Sequence, residues 1–189
     1  MATPTALPAT FTSGQVLTAS QMNNLRGAFR VLQVVQTVKT DTFTTSSTTP
    51  VDVTGLSATI TPSSTSSKIL ILTDVAYSIA LNNYIVGFIR LAGGNAGNYI
   101  GDASSNRTRT TKQLTFSTSG DIQASMFNFG ATYLDSPNTT SATTYKVQVW
   151  LTSNSASPLV TVNRRGSGFD DAAYSGVGAS SITVMEISA

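Results

Sequence analysis

The chain has 189 residues and a mass of 19.7 kDa, which at roughly 150 residues per domain reads as one domain with an appendage, able to bury a core without metal or disulfides. It contains no Cys and no His, and this excludes thiolate nucleophiles, Ser-His-Asp and Cys-His triads, thiolate or imidazole zinc sites and imidazole proton relays. Charged residues make up 11% against a usual ~25%, and the net charge of +2 is a small excess, not the clustered basic footprint that nucleic acids need.

In place of charge the chain carries 30 Thr and 25 Ser, a bias toward pleated strands and turns. Residues 1–17, rich in Pro, Thr and Ala, read as an extended arm. Thr18 with Gln21 then matches a capping box, and Leu17 with Met22 stands at the spacing of a hydrophobic staple. Met22, Leu25 and Phe29 continue one apolar stripe, so a short α-helix of about three turns is expected, its stripe facing either the following domain or another subunit. The opening MATPTALPATFTSG lacks the basic and apolar regions of a secretory signal, and no run reaches the ~18 apolar residues of a membrane span. The expectation is a soluble protein made in a cytoplasm, with no membrane insertion.

From Val31 onward the period is that of strands. VLQVVQTVK (31–39) is β-branched, and PVDVTGLSATI (50–60) changes parity at Thr54-Gly55, which predicts a bulge. KILILTDVAYSIA (68–80) is apolar on both faces and reads as a central strand, with Asp74 as an interruption that needs a hydrogen-bond partner or a subunit contact. Asn82-Asn83 reads as a tight turn into YIVGFIRLAG (84–93), forming a hairpin. Residues 93–113 form a long polar loop, 121–134 a strand with Phe127, Phe129, Ala131 and Tyr133 on one face, and 145–151, 158–165 and 181–188 three more strands. Eight or nine strands with turns between them predict an all-β, jelly-roll-like β-sandwich preceded by the extended arm and the helix.

The carboxylates are eight Asp and Glu186. Glycan hydrolysis needs two facing carboxylates, and Asp170-Asp171, Asp52, Asp74, Asp102, Asp121 and Asp135 read as turn and loop residues instead. GFDDAAYSG lacks the calcium-loop spacing, the glycine clusters lack a phosphate-loop context, and the sequons at Asn106 and Asn138 are expected by chance in so Thr-rich a chain. No enzyme, cofactor or metal is expected. Arg107, Arg109, Lys112, Arg164 and Arg165 read as ordinary strand-end charges. Tyr99, Phe169 and Tyr174 fall in Gly- and Ser-rich loops of the adaptable kind that make contact surfaces, or they pin those loops to the sandwich.

FTSGQVLTASQMNNLR (11–26) resembles the N-terminal attachment segments of bacteriophage tail and fibre proteins, and residues 31–72, 133–149 and SSITVMEI (180–187) resemble a Ser/Thr-rich module of phage structural proteins. The resemblance implies a virion surface protein with a β-sandwich knob, homotrimeric and similar in kind to tumour-necrosis-factor-like jelly rolls, made in the host cytoplasm and exposed on the particle. Residues 1–30 are then an attachment device and 31–189 the knob, with Leu17, Met22, Leu25 and Phe29 in virion anchoring or oligomer contacts. Tyr99, Asp102, Asn106, Arg107, Phe169, Asp170 and Tyr174 are the candidate host contacts, facing a cell-surface glycan. The function expected is a tail fibre or receptor-binding knob for host adsorption; a capsid decoration or head-fibre protein is the alternative, and a glycan-cleaving tailspike would need the paired carboxylates.

Overall fold

Thirteen residues in a row, Lys68–Ala80, form the strand around which the others assemble. The computed structural model describes residues 31–80, 86–114, 125–152, 158–166, 173 and 175–188, together with Gly14 and Val16. The expected arm and helix, including Leu17, Met22, Leu25 and Phe29, lie outside the described residues. Among those described the strands are β1 (Val31–Lys39), β2 (Phe43–Thr45), β3 (Val51–Ile60), β4 (Lys68–Ala80), β5 (Gly87–Ala92), β6 (Lys112–Gln113), β7 (Phe127–Asp135), β8 (Thr143–Leu151), β9 (Leu159–Val162) and β10 (Ser180–Ile187).

All the pairings are antiparallel. In the first sheet β1 pairs with β10, β10 with β4 and β4 with β7, while the short strand β9 also lies on β4 and carries β2. The second sheet runs β3-β8-β5-β6. Set aside β2 and β9, and count the other eight strands along the chain. One sheet then reads first, eighth, third, sixth and the other second, seventh, fourth, fifth, the double Greek-key wiring of a jelly roll. Alternation places Ile69, Ile71 and Val75 of β4, Leu56 and Ile60 of β3, Tyr145 and Val147 of β8, and Ile182 and Val184 of β10 in one core between the sheets. The parity change in β3 is a bulge, with Gly55 at φ +81° and a register shift between Asp52 and Ser57.

The expected hairpin across Asn82-Asn83 is not formed. β7 occupies one edge of β4, and β10 and β9 occupy the other, so β5 has no edge to join and lies in the opposite sheet. β2 and β6, both very short, stand in segments that carried no strand signal.

Two buried polar residues fasten this wiring. Asn163 follows β9 with φ +65°, and its Nδ2 donates to the carbonyls of Lys39 (2.8 Å) and Asp41 (3.0 Å). Its Oδ1 accepts from the Ser180 hydroxyl at 2.6 Å, and its own N–H donates to Ala76 O. Glu186 of β10 is 1% exposed and accepts from the backbone N–H and hydroxyl of Ser63 (2.7 and 2.6 Å) and from Gln33 Nε2 (2.6 Å), joining β10 to β1 and to the β3–β4 connection. Burial by itself would raise this carboxyl, but the Ser63 and Gln33 hydrogen bonds outweigh it and hold the group down at about 2.

Asn163→Ala takes the donor from the Lys39 and Asp41 carbonyls and the acceptor from the buried Ser180 hydroxyl, and it puts a Cβ-bearing residue without a side-chain hydrogen bond in the left-handed region. The expected loss is about 3 kcal/mol in denaturant unfolding, with Asn163→Gly milder by roughly 1 kcal/mol because glycine tolerates that φ. The Glu186 contribution is present above pH 4.5 and disappears as pH falls toward 2, since its folded value lies below its ordinary one. Acid unfolding followed by circular dichroism therefore shows Glu186→Gln less stable at pH 6, by about 3 kcal/mol at most, and its deficit shrinking below pH 4.

Candidate functional site

The connection from β5 to β6 rises from a root that only glycine can form. Gly93 and Gly94 have φ of +105° and +49°, and a Cβ on either would collide with the Thr144 carbonyl or the Asp135 carboxylate. Asp135, fully buried at the end of β7, accepts from the Tyr145 hydroxyl (2.6 Å), the Ser136 N–H (2.8 Å) and the Asn95 N–H (3.1 Å). Asn95 adds a 2.6 Å bond from Nδ2 to Ser136 O. Burial, together with its bond to the Asp135 carboxylate, pushes the Tyr145 hydroxyl well above its ordinary value, so it stays a donor at every working pH.

Past this root a single 3-10 turn, Ala96–Asn98, leads to Tyr99, whose ring stacks on Tyr133 with centroids 5.1 Å apart. The returning stem is tied in turn: Thr111 Oγ1 donates to Tyr99 O (2.7 Å), Thr110 Oγ1 to Ile89 O (2.6 Å) and Gly101 N–H to Thr110 O (3.2 Å). Between the stems every residue from 101 to 109 is exposed. Asp102, Asn106 and Arg107 stand on this tip, while Tyr99 is half-buried and packs against the core. The ring of Tyr99 thus holds the loop, and the tip offers a carboxylate, an amide and a guanidinium to a polar ligand.

The second candidate loop is anchored elsewhere. Gly166 N–H donates to Ser78 Oγ, and Arg164 bridges Val177, around a cleft of about 160 Å³ lined by Thr42, Arg164, Arg165, Ser175, Gly176 and Val177. Phe169, Asp170 and Tyr174 lie outside the described residues. Ile69, the register partner of Asp135, and Ser78 are nine residues apart on β4, so the two loop roots are separated by about 30 Å along the strand and do not form one site. Arg165, expected as a strand-end charge, does follow the end of β9, but it is buried. It is 8% exposed, and its Nη1 donates to Ser175 Oγ at 3.2 Å.

The remaining described carboxylates hold structural partners or stand in solvent. Asp52 meets Lys146 and Gln148, which hold it below the ordinary range, Asp41 meets Lys39 with the same effect, and Asp74 accepts from Asn128. No group of three His, Cys, Asp or Glu among the described residues could hold a metal ion. Asn163 and the Asp135–Tyr145 pair, which organise everything above, carried no motif; the Gly93-Gly94 dipeptide ahead of the loop was the available signal.

Tyr145→Phe removes the strongest neutral donor to Asp135 and loosens the root without cutting into the tip. Trypsin is expected to cleave after Arg107 or Arg109 several-fold faster in this variant, with global stability lower by about 1–2 kcal/mol. Compared with models of known protein families and with curated proteins, the chain matches none.

Proposed function

We propose that this chain is the surface knob of a bacteriophage particle, a non-enzymatic tail-fibre or receptor-binding module that residues 1–30 attach to the virion and that meets a host-surface glycan through the tip 101–109. The observation that supports binding is nine consecutive exposed residues fastened at both stems to a rigid sandwich. A loop ordered at its root loses less conformational entropy on contact than a free one, and its Asp102, Asn106 and Arg107 suit the hydroxyls and charges of a bacterial polysaccharide. The non-enzymatic part rests on the lack of His and Cys and on the engagement of Asp135 and Glu186 in structural hydrogen bonds. The particle itself rests on the resemblance of residues 11–26, 31–72, 133–149 and 180–187 to phage modules. Asp135 and the entry of β1 at Val31 lie at the same end of the first sheet, so the loop root stands at the end of the knob that residues 1–30 would tether.

The purified protein is expected to bind on an array of bacterial surface polysaccharides and to release no sugar fragments. Asp102→Ala and Arg107→Ala should each weaken binding by about tenfold, with an unchanged thermal midpoint. A protein starting at Val31 should fold and bind yet fail to enter particles. Absence of glycan binding together with hundreds of copies per particle indicates capsid decoration through the same arm; fragment release overturns the non-enzymatic reading.

A further inference from the structure

Charge is sparse in this chain, and away from the tip much of it is engaged. Lys39 pairs with Asp41 and Lys146 with Asp52, while Lys68 reaches the Ser136 hydroxyl. Arg90 donates through Nε to Gln148 and lies over the Trp150 ring at 5.6 Å. The loop from β5 to β6 differs. Of the 11 cations in the sequence, Arg107, Arg109 and Lys112 fall in the one run 107–112, and all three are exposed. Asp102 is the single acid between residues 93 and 113. None of these four charges makes an ion pair among the described residues.

The cations stand on a tip of defined shape. Gly101 N–H donates to Thr110 O at 3.2 Å and closes its base. Arg107 N–H donates to Ser104 O at 3.0 Å across a tight turn in which Ser105 has φ +47°. Arg109 then reaches back to the base, where its Nε donates to Gly101 O at 2.8 Å. That bond occupies one edge of the guanidinium and fixes its plane. Nη1 and Nη2 donate to nothing among the described residues, so the end-on fork is left for a ligand. A planar fork held in this way matches the two oxygens of a carboxylate or a phosphate, and its side chain has little rotamer freedom left to lose on contact.

We infer that the tip selects acidic polysaccharides: Arg109 grips an oxyanion of the sugar chain, a carboxylate or a phosphate, through Nη1 and Nη2, and Arg107 and Lys112 attract the same chain. Residues 107 and 112 are at most about 18 Å apart along the backbone, so one stretch of polymer passes all three cations. Residues 101–113 contain no aromatic ring on which a nucleic-acid base could stack, whereas Asp102, Ser104, Asn106 and Thr108 offer partners to sugar hydroxyls. The inference rests on the tip being the glycan-binding surface, and it adds the class of glycan and the residue that sets it.

The full chain is to be tested against neutral and acidic bacterial surface polysaccharides, with a single-stranded DNA oligonucleotide beside them. Only the acidic polysaccharides should bind, and about tenfold more weakly when salt rises from about 0.05 M to about 0.5 M. Reducing the carboxyl groups of a bound uronate polymer to alcohols keeps its sugar backbone and should abolish binding. Removing the phosphate of a bound phosphate-bearing polymer should do the same, and the two treatments tell which oxyanion is held. Arg109→Gln should weaken binding about twentyfold and Arg109→Lys about fivefold, since lysine keeps the charge and loses the fork. Val38→Glu changes the net charge as Arg109→Gln does, but at the other end of the first sheet from Asp135, and should leave binding unaltered. Equal binding of neutral polymers, an Arg109→Lys protein as good as wild type, or a Val38→Glu loss equal to that of Arg109→Gln overturns this inference and leaves the tip a glycan site. No binding to any polysaccharide, or tighter binding of the DNA, overturns the glycan reading together with it.

Discussion

One edge of β4 serves two strands in succession, and the rest of the architecture depends on how the gap between them is closed. β10 runs along residues 68–74 and β9 along residues 77–80. Ala76 sits in the interval, where no strand pairs with it on that edge. Its N–H donates to the Ser180 hydroxyl and its carbonyl accepts from the Asn163 N–H, so both backbone groups are satisfied without a ladder. Asn163 then reaches the other way, to the carbonyls with which β1 ends. A buried amide with three partners, the carbonyls of Lys39 and Asp41 and the Ser180 hydroxyl, can be replaced by no apolar side chain of similar size, since the substitution takes away all three bonds at once. This arrangement lets the sheet divide into a β10-β1 half and a β9-β2 half while β4 continues beneath both.

What could be read beforehand follows the same division. Runs whose faces are decided by hydrophobic period alone were legible: residues 31–39 and 68–80 coincide with β1 and β4, and the parity change at Thr54-Gly55 is the bulge of β3. Sheet membership was not. Asn82-Asn83 has hairpin chemistry, yet pairing is settled by which edges of β4 are already taken, a property of residues 127–135 and 180–187 that no local window contains. β2, three residues in a Thr/Ser run, is defined by its partner Val162 and by Phe43 reaching the core, not by its own pattern. At the candidate site the exposed tip was legible from its polarity, whereas its root was not, because a turn glycine, a strand-end Asp and a core Tyr far apart in the chain carry no joint signature. The burial of Arg165 was not legible for a related reason: its partner Ser175 is ten residues on, across a Gly-rich segment.

Asp135 and Glu186 solve one problem at the same end of the first sheet. Each is a carboxylate taken out of water at the point where a chain leaves the sheet, and each collects hydrogen bonds from a backbone N–H and a side-chain hydroxyl. In a chain with few charges such groups take the place of ion pairs: they fix connections by direction, which apolar contact cannot do. The result is a sandwich in which order is concentrated at loop roots and strand ends, and the connection from β5 to β6 can be long while its root stays fixed.

The course of β1 has a mechanical consequence. This edge strand enters at Val31 and lies antiparallel on β10 through eight register pairs, ending at Lys39. A pull on the chain ahead of Val31, directed along the strand and away from the sandwich, strains those pairs in shear, together and not one after another. Resistance to such a load is governed by the height of the unfolding barrier and not by the equilibrium free energy of the fold. Under the role proposed above, with load reaching the sandwich through Val31, the β1–β10 seam would hold until it slid as a whole, and the Gln33–Glu186 and Gln36–Thr183 side-chain bonds across that seam act as rivets against the slide.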